Sequence, residues 1–88
     1  MRARSLPRNL VRAFREELGL NLFELCSKAR ISEATLKRME AASAPVSRLM
    51  KFKVLKALNK IRNSQNQAEL GFSDVFPNEP NPFDLKTE

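Results

Sequence analysis

Histidine, tyrosine and tryptophan are absent from this chain, cysteine occurs once, and glycine only twice. Without histidine, neither a Ser–His–Asp nor a Cys–His arrangement can be assembled, because the base that activates the nucleophile is missing. A lone Cys26 excludes an internal disulfide framework and a cysteine-rich metal site. No cofactor or metal is therefore expected, and an enzyme is disfavoured. Long apolar runs are also missing. Nothing approaches the roughly 18 residues of a membrane-spanning helix. The cations between Met1 and Arg15 are not followed by the apolar stretch of a signal peptide. The expected setting is the cytoplasm, where an unpaired thiol stays reduced.

What remains is one small domain of 88 residues, 42% hydrophobic and 30% charged, enough for a modest core. The net charge of +6 conceals a division. Residues 1–62 hold fifteen Lys and Arg against five Asp and Glu, whereas residues 63–88 hold one Lys against five acids. Basicity concentrated in one compact segment points to a polyanion, although a well-solvated surface has the same composition. Three parts follow from this division. They are a basic arm over 1–6, a helical domain over 7–62 and an acidic extension over 63–88, which becomes proline-containing and extended from 77.

Helical periodicity runs through the middle part. Residues 7–18 place Leu10, Val11, Phe14 and Leu18 on one face, with Arg8, Arg12 and Arg15 outside it. Pro7 suits the first turn, and Gly19 a left-handed stop. Asn21 and Glu24 form a capping-box pattern ahead of Leu22, Leu25, Cys26 and Ala29. After Arg30-Ile31, Ser32 caps a third helix over 33–41 whose only inward apolar residues are Leu36 and Met39. Its other face carries Glu33, Ala34, Lys37, Arg38 and Ala41, so that face must meet something wet. A small-residue loop broken by Pro45 leads to a fourth helix from Ser47 to about Arg62, with Met50, Val54, Leu58 and Ile61 as its stripe and Lys51, Lys53, Lys56 and Lys60 as its polar surface. Residues 68–76 form a short fifth helix or a docked turn, with Gly71 interrupting it. No strand pattern competes. The expected fold is all-α.

Two short helices joined by a tight turn, the second with a polar outward face, make a helix-turn-helix. The run from Gly19 to Glu40, GLNLFELCSKARISEATLKRME, resembles the motif of the Cro and lambda-repressor-like (XRE-type) regulators. Leu25 with small Cys26, Ile31-Ser32 at the turn, and Thr35, Leu36, Met39 and Glu40 carry the likeness, which extends over about residues 8–60. It implies a compact domain of four to five helices that binds double-stranded DNA as a homodimer, a transcriptional repressor associated with the nucleoid. Two positions depart from the pattern. Leu22 stands where the family has a Gln that braces a phosphate, and Arg30 where it favours Gly.

By that resemblance the base-reading positions are Ser32, Glu33, Ala34, Lys37 and Arg38. The chemistry is suitable. Arg38 can pair bidentately with guanine, Lys37 can reach guanine or a phosphate, and Ala34 offers a methyl surface to thymine or lets the helix approach closely. Glu33 can accept from cytosine, or it simply favours the positive end of its helix. Ser32 is a cap before it is a DNA contact. Candidate phosphate contacts are Asn21, Arg30, Thr35, Arg2, Arg4 and Arg8. Phe23, Leu49 and Phe52 are surplus to a four-helix core and, with Phe72 and Phe76, are interface candidates. A second reading follows from these apolar residues and the acidic tail, which also holds Phe83: a protein-interaction module, antitoxin or adaptor of the same fold that binds a partner protein. The tail can also dock on its own basic body or restrain DNA binding, and its plain reading is a flexible, solubilising end.

Overall fold

The computed structural model describes residues 9–41 and 46–77. Within them the chain forms five helices and no strand: α1 (Val11–Glu17), α2 (Leu22–Ala29), α3 (Glu33–Ala41), α4 (Arg48–Ser64) and α5 (Phe72–Val75). The all-α expectation holds. None of these helices is long and apolar enough to cross a membrane. Arg2, Arg4, Pro7, Arg8, Pro45, Phe83 and most of the proline-containing tail fall outside the described residues.

Each boundary has a local cause. The first helix starts at Val11, four residues later than the periodicity suggests, because Asn9 intervenes. Asn9 Oδ1 accepts the Val11 N–H at 3.2 Å, while its Nδ2 donates to the Met39 carbonyl at 2.8 Å. The Leu10 N–H is used elsewhere, donating to the Val75 carbonyl at 2.7 Å. At the far end, Gly19 takes φ +74°, the left-handed stop that glycine adopts without strain. The capping box of α2 is complete: Asn21 Oδ1 accepts the Glu24 N–H and Glu24 Oε1 accepts the Asn21 N–H, both at 2.8 Å. Ser47 caps α4 through the Met50 N–H at 3.2 Å. That helix continues to Ser64, two residues past Arg62, before Asn66 turns left-handed at φ 62°.

One apolar core joins all five helices. α2 packs on both α3 and α4, and α1 bridges α3 and α4. Val11, Leu25, Leu36, Met39, Val54 and Leu58 meet at its centre, with Cys26, Ala29 and Ala57 as the small residues that permit close helix crossings.

Two expectations are overturned here. Phe72 and Phe76, expected at an interface, are core residues: Phe76 is 0% and Phe72 3% exposed. α5 is only one turn long, yet it buries Phe72 and Val75, and Phe76 directly after it is buried as well. Phe72 stacks tilted on Phe76 at 4.9 Å and on Phe52 at 5.5 Å. Four helices alone leave the flank of α4 uncovered, and residues 70–76 close it. Asn59 holds this segment in place, donating to the Leu70 carbonyl at 2.9 Å and accepting the Leu70 N–H at 2.7 Å. Within the acidic extension, residues 70–76 therefore belong to the globular body.

Arg15 is the second correction. Expected outside the apolar face, it is buried, because α3 brings Glu40 against it. Arg15 Nε and Nη2 donate to the two Glu40 oxygens at 2.8 and 3.1 Å, and Nη1 donates to the Leu20 carbonyl at 2.9 Å. The hydrogen bonds to Glu40 hold the guanidinium pKa above its already high ordinary value, against the opposing effect of burial. Three structural pieces are thereby fastened at one side chain: α1, the turn into α2 and the last turn of α3.

Candidate nucleic-acid interface

α3 is divided lengthwise. Leu36 and Met39 are buried in the core, while Glu33, Ala34, Lys37, Arg38 and Ala41 are exposed. The inward side needs both apolar residues, because they are the buried residues of a nine-residue helix. The outward side then carries a short, small-residue stretch at the N-terminus (Ala34) followed by two cations one turn later. Ser32, Glu33, Ala34, Lys37 and Arg38 are thus brought to one exposed surface, as the sequence leads one to expect.

The connection between α2 and α3 is three residues long, Arg30–Ser32. Arg30 adopts φ 60°, ψ 48°, the left-handed conformation that Gly would occupy without cost. For an arginine the strain is on the order of 1 kcal/mol. Its side chain is exposed. Ile31 is half-buried and plugs the corner against the core.

Ser32 spends its hydroxyl on folding. Its Oγ accepts the Thr35 N–H at 3.1 Å and donates to Thr35 Oγ1 at 2.8 Å. The Thr35 hydroxyl keeps its own proton available for an outside acceptor, and its side chain is half-buried at the helix corner. At the start of α2, Asn21 is engaged by the capping box. The Glu24 carboxylate already lies against that positive helix end, so an incoming phosphate meets a resident anion there. Of the phosphate candidates in the described residues, Arg30 and Thr35 are the better placed. Arg12, also exposed, is occupied by Glu16 at 2.9 Å, and this contact lowers the Glu16 carboxyl pKa below the usual range.

Among the described residues two large apolar side chains remain in solvent: Phe23, 64% exposed on α2, and Leu49, 59% exposed on α4. Phe52, the third of that group, is half-buried against Phe72. Sequence reasoning missed Asn9 and the Arg15–Glu40 pair, which set the position of α3 without touching its outer face. The spacing of Asn9 before an apolar run is a capping signal. No local signal links Arg15 to a glutamate 25 residues later.

No protein-family model, curated protein or solved structure matches this chain.

Proposed function

We propose that α2, the Arg30–Ser32 connection and α3 act as a helix-turn-helix of the Cro and lambda-repressor-like kind, and that the protein is a sequence-specific double-stranded DNA binder working as a repressor. One observation carries this reading: α3 buries Leu36 and Met39 and turns Glu33, Ala34, Lys37 and Arg38 outward. An α-helix with that outward surface fits the major groove, where Arg38 and Lys37 find guanine acceptors and Glu33 finds the cytosine amino group. Arg30 and the Thr35 hydroxyl flank it as phosphate contacts. The excess of cations in residues 1–62 supplies sequence-independent attraction, which weakens steeply with salt. A homodimer in the cytoplasm, bound to the nucleoid, is the working form this implies.

Selection from a random double-stranded pool with the full chain at near-physiological salt tests the proposal. The expected product is a palindrome whose half-sites lie about ten base pairs apart. Equal affinity for the selected and scrambled sequences overturns it.

The exposure of Phe23 and Leu49 favours a second reading, a protein-interaction module of the antitoxin or adaptor type. Failure of the selection together with stable capture of one defined partner through those residues would replace the first reading by this one.

A further inference from the structure

The outer side of α4 holds a groove of about 510 Å³ floored by Phe52 and Leu55 and rimmed by Lys56, Lys60, Asn63 and Glu69. Leu49, Phe52, Lys56, Lys60 and Asn63 are spaced so that they lie along one helical face, which extends the apolar floor to exposed Leu49. Lys53 borders the same face. Such a surface combines an apolar floor with a rim in which lysines outnumber the single acid, Glu69, which already accepts from Asn63 Nδ2 at 3.1 Å. It favours an acidic occupant over a second copy of the same lysine-rich face.

An acidic segment with an apolar anchor is the complementary occupant, and the chain encodes one. The sequence after Pro77, NEPNPFDLKTE, has three acids against one lysine and places Phe83 and Leu85 around Asp84. Its attachment point is close: Phe76 stacks on Phe72, and Phe72 stacks on Phe52 of the groove floor. Phe83 lies six positions after Pro77, a reach of up to about 20 Å when extended. Pro80 and Pro82 restrict the free segment, so less conformational entropy is lost when it is held. Tethering gives it an effective concentration in the millimolar range, roughly that of a short flexible linker. We propose that this α4 groove is a docking site for the chain's own acidic segment, with Phe83 as the apolar anchor and Glu79 and Asp84 facing the lysine rim. The proposal is independent of DNA binding.

Amide spectra of the full-length ¹⁵N-labelled chain test it. Phe83→Ser is expected to shift resonances along residues 52–63 and 69–72, leaving those of Cys26 and Leu36 in place. Adding a synthetic peptide of residues 78–88 to Phe83→Ser should return the α4 resonances toward their original positions. Replacing Lys56 and Lys60 by Glu in that variant should weaken the peptide about tenfold, the size expected for two exposed charge contacts. Unchanged α4 resonances in Phe83→Ser overturn the proposal. So do α4 shifts in the unmodified chain that vanish on dilution, because the segment would then come from a second copy.

Discussion

Arg15 of α1 and Glu40 of α3 face each other through two hydrogen bonds, 2.8 and 3.1 Å long, in a largely shielded setting between two helices. Removing one partner strands the other charge in the interior. Glu40→Ala is therefore expected to cost about 3–5 kcal/mol, whereas the paired change Arg15→Met with Glu40→Leu should recover most of it. Chemical denaturation of the two variants measures this. A loss below about 1 kcal/mol for Glu40→Ala, the scale of an exposed pair, would mean that water reaches the site.

The short α5 and the residue directly after it contribute more than their length suggests, because Phe76 there is fully buried. Phe76→Ala should destabilise by about 3–5 kcal/mol, and Phe23→Ala on the exposed side of α2 by no more than about 0.5 kcal/mol. Asn59→Ala removes both bonds that hold Leu70 and should cost about 1–3 kcal/mol. Thermal melts of the three variants rank them. An equal loss for Phe23 and Phe76 would contradict the packing described above.

Arg30 sits at φ 60°, so Arg30→Gly separates stability from binding. Glycine relieves strain on the order of 1 kcal/mol, partly offset by the greater freedom it gives the unfolded chain. The variant should be as stable as the parent or slightly more so and, if the chain binds DNA as proposed, should bind all sequences more weakly by the loss of one phosphate contact. Its salt dependence should become shallower by about one unit of slope. A stable variant with unaltered salt dependence would remove Arg30 from the phosphate set.

Arg38→Ala should behave differently. If Arg38 reads guanine, its loss costs about 1–3 kcal/mol on the selected sequence and relaxes preference at one base pair, with little change on random DNA. Equal losses on both would make it a phosphate contact instead. Titration of the two DNAs at one salt concentration distinguishes these outcomes.

Cys26 is buried at a helix crossing, and burial, aided by the Glu33 and Glu40 charges, pushes its thiol pKa up. The folded thiol therefore ionises at higher pH than the unfolded one. Its contribution to stability is fully present below the unfolded thiol range near about 8.5 and declines as pH rises from there through the folded value. Cys26→Ala should flatten that part of the alkaline stability curve. In the parent, a thiol reagent at pH 8 is expected to modify Cys26 only as fast as the chain opens. Immediate, complete reaction of the folded protein would contradict the burial.

Much of this fold follows from residues close together in sequence. Helix periods, the Asn21–Glu24 capping box, the Ser32 and Ser47 caps and the left-handed Gly19 each depend on neighbours within about one turn, and each is where the chain indicates. The outward set on α3 is legible for the same reason: Leu36 and Met39 leave only one orientation that buries them. Three features became apparent only with the tertiary structure. Arg15 is inside because α3 delivers Glu40 to it, Asn9 delays α1 because Met39 offers a carbonyl, and Phe72 and Phe76 are core because Asn59 latches Leu70. In every case a polar group finds its partner across a long sequence separation. Periodicity can say which face of a helix is apolar, but which buried donor meets which acceptor is decided only when the helices pack.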